Sequence, residues 1–166
     1  ALAAMPAIRK VVLLSSTAVF ARAPAEDDAL SWAVSRAYLR AMARALYDDK
    51  ERVLRRFYAD ACAADVHCAE IEALVRDGTK FSPGLLEHGL QYLRQADMRA
   101  VLCSISRPVL ILHGDADRIV SPRAACYLNE HIPLSRMVMI REGGHVLLGT
   151  HRQEIAAEVR KFLRDE

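Results

Sequence analysis

The sequence lacks both an apolar run long enough to cross a membrane and the charge excess of a nucleic-acid-binding protein. Its 23 Lys and Arg residues nearly balance 21 Asp and Glu residues, so the net charge of the 166-residue chain is only +2. No apolar stretch approaches the ~18 residues of a transmembrane helix. The early apolar run, followed by Ser15 and Ser16, has no good cleavage site and is not a signal peptide. We therefore expect neither a nucleic acid nor a membrane as partner.

Cysteine is scarce, and its spacing gives no sign of a metal site. The four cysteines form no Cys-x-x-Cys pair and no recognisable zinc spacing; they are Cys62, Cys68, Cys103 and Cys126. Reduced thiols in a cytoplasmic protein are the favoured interpretation, and a disulfide framework is the alternative. We expect no metal and no other cofactor.

The beginning of the chain is typical of a helix end followed by a strand. Residues 1–5, ALAAM, look like a last helical turn that Pro6 ends. Residues 10–16, KVVLLSS, are predicted to form a buried parallel strand, because they are apolar without alternation. Since the chain starts in the middle of a helix without an initiator Met, we expect that an upstream segment is missing.

A helical block without a convincing strand is predicted from about residue 29 to residue 97. Apolar residues at helical spacing indicate its first helix: Leu30, Val34, Tyr38, Met42 and Leu46. Three more helices follow, one from an Asp48–Glu51 capping box through Phe57, one over about 64–76, and one from a Ser82–Pro83 cap.

Beyond residue 100 the pattern changes to alternating strands and helices. The predicted elements are the strand RPVLILH (107–113), the helix SPRAACYLNEH (121–131), the strand RMVMI (136–140) and the helix THRQEIAAEVRKFL, which starts with a capping box of Thr150 and Gln153. This alternation implies a parallel α/β layer. Residues 1–24 and 100–166 are therefore predicted to form the core, and residues 25–99 a helical insertion between two strands.

Two acidic residues and a histidine follow neighbouring predicted strands. Asp115 and Asp117 come directly after RPVLILH, and His145 follows the next strand in REGGH. Because functional groups gather beyond the carboxyl ends of parallel strands, we expect an acid and His145 to meet. A carboxylate that accepts a hydrogen bond from an imidazole fixes its tautomer, and the free nitrogen can then take a proton from a nucleophile. Taken alone, the turn with Asp115 and Asp117 could be an ordinary polar turn. Taken alone, His145 could be an ordinary loop residue.

These segments resemble the α/β-hydrolase superfamily. The matching motifs are PVLILHGDADRIVSP for the acid, EGGHVLL for the histidine and IRKVVLLSST for the strand after the nucleophile helix. The resemblance implies the C-terminal portion of an α/β-hydrolase parallel sheet with an inserted helical cap. It also implies that Asp117 is the catalytic acid and His145 the catalytic base, whereas Asp115 faces solvent or helps to hold the turn.

Further segments are similar to a narrower family, the pimeloyl-[acyl-carrier protein] methyl ester esterases of biotin synthesis. They are DDKERVLRRF (48–57) and LEHGLQYLRQADMRAVLCSISRPVLILHG (86–114). The resemblance implies a carboxylesterase that cleaves a small acyl methyl ester on acyl carrier protein. Phe57 and Ile119 would then bind the substrate. Arg52 and Arg56 would bind the acidic carrier protein, although further arginines expected on the third cap helix have no counterpart in ADVHCAEIEAL.

The spacing of other cap arginines also indicates a basic surface. Arg36, Arg40 and Arg44 are four residues apart and so line one helix face. On a nearly neutral protein such a face could steer an acidic partner. An ordinary solvated surface with Asp and Glu nearby is the alternative.

The motif Gly-x-Ser-x-Gly, which supplies the nucleophile in these hydrolases, is absent. The serines present lack elbow glycines and the cysteines lack a sign of activation: Ser15, Ser16, Ser104, Ser106, Cys103 and Cys126. The family places its serine upstream of Ala1, so this chain alone is predicted to be inactive. KVVLL is expected to be an open apolar edge that pairs with the missing N-terminal half, from the same chain or another.

Two alternatives to the specific esterase stay open. One is a generic carboxylesterase or lactonase that acts on small free esters. The other is a non-catalytic, hydrolase-like binding fragment, which the absent motif favours and the retained acid and histidine disfavour.

Overall fold

A three-stranded parallel sheet lies at the centre of the computed structural model, which describes residues 7–23, 25, 30–62 and 68–164. Its strands, in spatial order, are β1 (Val11–Leu14), β4 (Val109–Gly114) and β5 (Ser135–Ile140). In the register, Leu14 lies opposite Leu112 and Gly114 opposite Ile140. The prediction of an α/β fold with a parallel sheet is therefore confirmed.

The central strand β4 is apolar on both faces and paired at both edges, and all of its residues are buried. Ile111 belongs to a buried cluster with residues of α5 (Pro122–His131) on one face. Leu110 and Leu112 belong to a cluster with residues of α7 (Arg152–Arg164) on the other face. Each such Leu or Ile contributes about 1.5–3 kcal/mol through burial, so the strand is a rigid base for whatever follows it.

Four helices between β1 and β4 form what we call the cap: α1 (Arg36–Asp48), α2 (Lys50–Ala61), α3 (Cys68–Thr79) and α4 (Pro83–Gln95). Helix α1 packs against α2 and α4, and α2 packs against α3. A 3₁₀ helix (Arg99–Ser104) returns the chain to β4. Among the described helices, none combines the length and the apolar character needed to cross a bilayer. The division of the chain at residues 24 and 99 stays a prediction.

One of two very short paired strands lies in the stretch that the sequence pattern predicts to be helical, and the other precedes that stretch. β2 (Ala21–Arg22) pairs in parallel with β3 (Val34–Ser35). The expectation of no strand between residues 29 and 97 is therefore wrong. Strands of two residues show no alternation, so a pattern over a longer window does not detect them.

The first cap helix begins later than its apolar spacing suggests. The Ser35 hydroxyl accepts a hydrogen bond from the Tyr38 N–H, so Ser35 is the N-cap and α1 starts at Arg36. Tyr38 is exposed, whereas Leu39 and Leu46 are the buried residues of this helix. The face that α1 buries therefore agrees with the predicted stripe at Leu46 but not at Tyr38, and Leu39 is not part of that stripe.

Two predicted capping boxes are also wrong in detail. Helix α1 continues through Asp48, and the side chain of Asp49 instead caps α2 by accepting a hydrogen bond from the Arg52 N–H at 3.0 Å. Thr150 does not cap α7, because it ends a separate short helix, α6 (Leu147–Thr150), and its hydroxyl donates to the Val146 carbonyl.

The other two cap helices agree better with their predicted starts and ends. Ser82 caps α4 as predicted, with its hydroxyl accepting from the Leu85 N–H. The predicted start of the third helix, near residue 64, lies outside the described residues. That helix ends at Thr79, three residues beyond the predicted end at 76.

The last residue of β4 lies directly against the loop that follows β5. A Cβ atom on Gly114 would collide with the carbonyl group of Gly143 and would lie 2.7 Å from the Gly144 oxygen. Both obstacles are backbone atoms, so no side-chain rotation relieves the collision. The absence of a side chain at Gly114 therefore allows the two loops after β4 and β5 to touch.

We expect Gly114→Ala to destabilise the protein by about 3 kcal/mol, since the methyl group must displace the backbone of the neighbouring loop. Gly89→Ala is the matched control, because an added Cβ there meets no described atom within 4 Å and alanine favours helix α4. Urea unfolding followed by circular dichroism measures both variants. Equal stability of the two variants would contradict the close contact of the loops.

Candidate active site

Asp117 and His145 meet beyond the carboxyl ends of β4 and β5. The Nδ1 atom of His145 lies 2.9 Å from Oδ2 of Asp117, which is hydrogen-bonding distance. The Asp117 side chain is fully buried, whereas 27% of the His145 side chain is exposed. The acid is thus held inside the protein, and the imidazole extends from it toward the surface.

The Asp117 carboxylate receives hydrogen bonds from several segments at once. Oδ1 accepts from the backbone N–H groups of Ile119 at 2.8 Å and Val120 at 2.9 Å. Oδ2 faces two imidazoles, since Nε2 of His113 lies 3.3 Å away in addition to Nδ1 of His145. Oδ1 therefore has two backbone donors and Oδ2 lies between two imidazoles, and these contacts together fix the orientation of the group.

This environment keeps Asp117 charged although it is buried. Burial alone would raise the pKa of the Asp117 carboxyl, but hydrogen bonds from His113, His145 and the Val120 N–H outweigh burial. They hold the pKa of the carboxyl well below its usual range. Asp117 therefore accepts a hydrogen bond from the Nδ1–H group of His145 and remains an anion near neutral pH.

The loop that carries His145 is fastened to the cap as well as to β1. The backbone N–H groups of His145 and Val146 both donate to the carbonyl of Ala61, at 2.8 and 3.2 Å. Ala61 is the last residue of α2, where helix carbonyls lack partners within the helix. The Ser15 hydroxyl donates to the carbonyl of His145 at 2.8 Å. His145 is therefore positioned by the core and the cap together.

The remaining imidazole nitrogen is available for chemistry. Because Asp117 accepts from Nδ1, the neutral ring of His145 carries its proton there and presents a lone pair at Nε2. Within the described residues no hydrogen-bond partner is found for Nε2. An imidazole in this state can take a proton from a hydroxyl group placed within about 3 Å.

Three of the serine hydroxyls considered as nucleophiles make other hydrogen bonds. Ser15 has a left-handed backbone with φ of 43°, but its Oγ donates to the His145 carbonyl and not to the imidazole ring. Ser16 donates to the Leu14 carbonyl at 2.9 Å, and Ser104 to that of Val101 at 2.7 Å. The hydroxyls of Ser15, Ser16 and Ser104 thus each donate to a backbone carbonyl, and the absence of a nucleophile among the serines of this chain stays a prediction.

The two residues expected to bind substrate lie in different places. Phe57 lines a groove of about 280 Å³ between α1 and α2, together with Tyr38, Ala41, Met42, Ala45, Val53 and Arg56. It lies one helical turn before Ala61, whose carbonyl holds the His145 loop. Ile119 instead lines a narrow cleft with Val19, Phe20 and Trp32. The structure therefore does not bring Phe57 and Ile119 into one cavity.

The arginines of α2 fall into two groups. Arg52 and Arg56 extend into solvent, with 74% and 82% of their side chains exposed and only loose pairing to Asp49 and Asp60. Arg55 is bound to Glu51 and Glu72 and so joins α2 to α3. Arg52 and Arg56 are therefore accessible to a partner, whereas Arg55 is already engaged in two ion pairs within the cap.

The predicted basic face of α1 is only partly exposed. Arg40 and Arg44 are exposed, and they line a groove of about 190 Å³ with Arg94 of α4. Arg36 is half-buried, and its Nε atom is fully buried. Asp115 is exposed, and its N–H donates to the Ile140 carbonyl, so it both faces solvent and helps to hold the turn.

Sequence reasoning missed two contributors to the site. Ala61 acts through its backbone carbonyl, which every residue has, so the residue type at position 61 does not indicate this role. His113 does carry one, since it is a polar residue in an otherwise apolar strand. Within the described residues, no three His, Cys, Asp or Glu side chains are grouped as metal ligands.

The lowered pKa of Asp117 makes the stability of the protein depend on pH. Its ionised form stabilises the fold fully above the unfolded-state value of about 3.9, and this contribution is lost as the pH falls toward the lower folded-state value. We expect the stability difference between the wild type and Asp117→Asn to shrink by about 1 kcal/mol from pH 5 to pH 3.

Urea unfolding at the two pH values measures this difference. Asp115→Asn is the matched control, because its carboxylate is exposed, and it should show no comparable change. The same difference at pH 5 and pH 3 would show that Asp117 is not stabilised as an anion.

Comparison with known proteins extends these observations. A family model described as alpha/beta hydrolase fold matches residues 5–151. The chain is 30% identical to the pimeloyl-[acyl-carrier protein] methyl ester esterase of Nitrosomonas europaea, over 87% of this chain and 58% of that protein. It is 31% identical to the esterase of the same name from Stenotrophomonas maltophilia, over 98% of this chain and 63% of that protein. The chain therefore spans less than two thirds of the length of these relatives.

Solved structures show the same fold. A bromoperoxidase from Bacillus anthracis matches with a TM-score of 0.86 and 25% identity, over 95% of this chain and 59% of that one. An esterase from Exiguobacterium antarcticum matches with a TM-score of 0.85 and 20% identity, over 93% and 57%. Because the family model matches most of the sequence and these folds cover nearly all of it, the chain belongs to the α/β-hydrolase superfamily.

Proposed function

We propose that this chain contributes the acid and the base of a carboxylic ester hydrolase that uses a Ser-His-Asp mechanism. The observation that supports the proposal is the 2.9 Å contact between Nδ1 of His145 and Oδ2 of a buried, charged Asp117, with Nε2 left open. A binding protein has no need for an imidazole held in this tautomer. The superfamily of the chain agrees with hydrolase chemistry.

In the proposed reaction, Nε2 of His145 takes the proton of a serine hydroxyl while the serine oxygen attacks the ester carbonyl. Asp117 stabilises the imidazolium that forms and stays ionised itself. Collapse of the tetrahedral intermediate breaks the ester C–O bond, and the imidazolium gives its proton to the departing alcohol. Water then attacks the acyl-enzyme by the same route and releases the carboxylic acid.

We propose that the serine is supplied from a segment upstream of Ala1. Gly-x-Ser-x-Gly is absent from this sequence, and the curated relatives are longer than the part of them that it matches. Among the described strands, β1 is at the edge of the sheet, with β4 on one side. Pairing of the upstream segment with the free side of β1 would cover this edge. Without that segment the chain is expected to be inactive.

We propose the methyl ester of pimeloyl-acyl-carrier protein as the substrate, because the curated relatives are esterases named for it. The groove beside Phe57 is apolar along most of its lining, which suits an acyl chain. Arg56 at the same groove and Arg52 one turn earlier extend into solvent, where they could attract an acidic carrier protein. Under this proposal Ile119 holds Asp117 through its N–H group, and its side chain, which lines a different cleft from Phe57, does not contact the acyl chain in that groove.

The experiment uses the full-length protein with its upstream segment. It compares kcat/KM for carrier-bound pimeloyl methyl ester with kcat/KM for a short p-nitrophenyl ester. We expect His145→Ala to lower both values by about 10⁴-fold, because the general base is lost. We expect the double variant Arg52→Glu, Arg56→Glu to lower the ratio of carrier-bound to short-ester kcat/KM by about tenfold, more at low salt.

The double variant Arg160→Glu, Arg164→Glu is the matched control, since it makes the same charge change at two exposed positions of α7 that are also four residues apart. It should leave the ratio unchanged. Equal use of both esters in the wild type, with no effect of the arginine variants, would indicate a generic esterase or lactonase. A full-length protein with no Gly-x-Ser-x-Gly motif and no activity would contradict the proposal and favour a non-catalytic binding role.

A further inference from the structure

Asp117 has a second imidazole neighbour that the proposed reaction does not use. His113, in β4, is fully buried, and its Nε2 lies 2.9 Å from the carbonyl oxygen of Val120 and 3.3 Å from Oδ2 of Asp117. Its other nitrogen, Nδ1, is also buried and has no hydrogen-bond partner among the residues that the structure describes. A polar ring in the middle of the core is thus bound through one nitrogen alone.

The hydrogen-bond partners determine which nitrogen carries the proton. A carbonyl oxygen and a carboxylate oxygen can only accept, so Nε2 of His113 must be the donor. A proton on Nδ1 as well would leave a buried N–H unpaired, which favours the form with the proton on Nε2 only. The Nε2–H group therefore donates to the Val120 carbonyl at 2.9 Å and also faces Oδ2 of Asp117 at the longer distance of 3.3 Å.

These contacts form a closed circuit around the acid. Val120 accepts from His113 through its carbonyl and donates through its N–H to Oδ1 of Asp117. His113 in turn faces Oδ2 of the same carboxylate. Rotation of the carboxylate about its Cβ–Cγ bond would break the contacts on both oxygens. The circuit therefore holds Oδ2 where Nδ1 of His145 can donate to it.

We propose that His113 is a positioning residue, which orients the Asp117 carboxylate so that it holds His145 in the tautomer needed for proton transfer. The catalytic consequence rests on the function proposed above, but the orientation itself does not. A purely structural role, in which His113 only fastens the turn through Val120, is the competing explanation. The two differ in what happens to the His145 ring when the Nε2–H donor is removed.

Two substitutions separate these explanations. His113→Gln places an amide N–H near the position of Nε2 and so retains the donor, whereas His113→Phe fills the same space without one. His131→Gln and His131→Phe are the matched controls, because His131 is an exposed histidine of α5 whose Nδ1 contacts the Tyr127 carbonyl. The full-length, ¹⁵N-histidine-labelled protein is used throughout, and circular dichroism verifies that each variant is folded.

The first measurement is made on the wild type and needs no variant to fold. Two-bond ¹H–¹⁵N correlation spectra at pH 7 report which nitrogen of each histidine carries a proton. We expect the proton of His113 on Nε2. A proton on Nδ1 alone would overturn the proposal, because Asp117 would then have no donor from this ring.

In the variants, the Nδ1–H signal of His145 is the readout. We expect it to persist in His113→Gln and to exchange with water much faster, or to give way to the Nε2–H tautomer, in His113→Phe. Parallel assays should show kcat about 10- to 100-fold lower in His113→Phe, with little change in KM and substantial recovery in His113→Gln. The His131 variants should match the wild type.

An unchanged His145 signal in folded His113→Phe would overturn the positioning role and leave only the structural one. If His113→Phe does not fold, loss of the His145 Nδ1–H signal in folded His113→Gln would overturn it equally. A wild-type protein without esterase activity would contradict the proposed function, while the spectra would still decide the role of His113.

Discussion

The buried negative charge of Asp117 is the constraint on which the rest of the site depends. A charged group without solvent exposure is tolerated only where hydrogen bonds replace its hydration. Its donors come from β4, from the turn after β4 and from the loop after β5. These segments must stay in contact for the carboxylate to stay charged. Stability and catalytic geometry are therefore linked at this corner of the sheet.

Two further contacts determine where the histidine loop lies relative to the acid. Gly114 has no side chain, so Gly143 can approach the end of β4. The carbonyl of Ala61 accepts from the backbone N–H of His145, so the end of α2 supports the loop from the other side. A displacement of α2 would therefore move the base. The cap contributes to the position of His145 as well as to the groove beside Phe57.

The core elements and the acid–base pair could be predicted from sequence because long apolar runs and parallel topology leave few alternatives. Asp117 and His145 follow adjacent strands, and parallel strands bring such positions together. The short strands β2 and β3 could not be predicted, since two residues show no period. The role of Ala61 leaves no trace in side-chain identity. His113 is visible as a polar residue in an apolar strand, but strand periodicity does not say what it binds.

A double-mutant cycle on Asp117 and His145 tests the central claim most directly. The free energies of unfolding of the wild type, Asp117→Ala, His145→Ala and the double variant are measured in urea at pH 7. If the two side chains are hydrogen-bonded, the single substitutions should be non-additive, with a coupling of about 1 kcal/mol or more. Additivity within about 0.3 kcal/mol would show that the two side chains do not interact and would contradict the account.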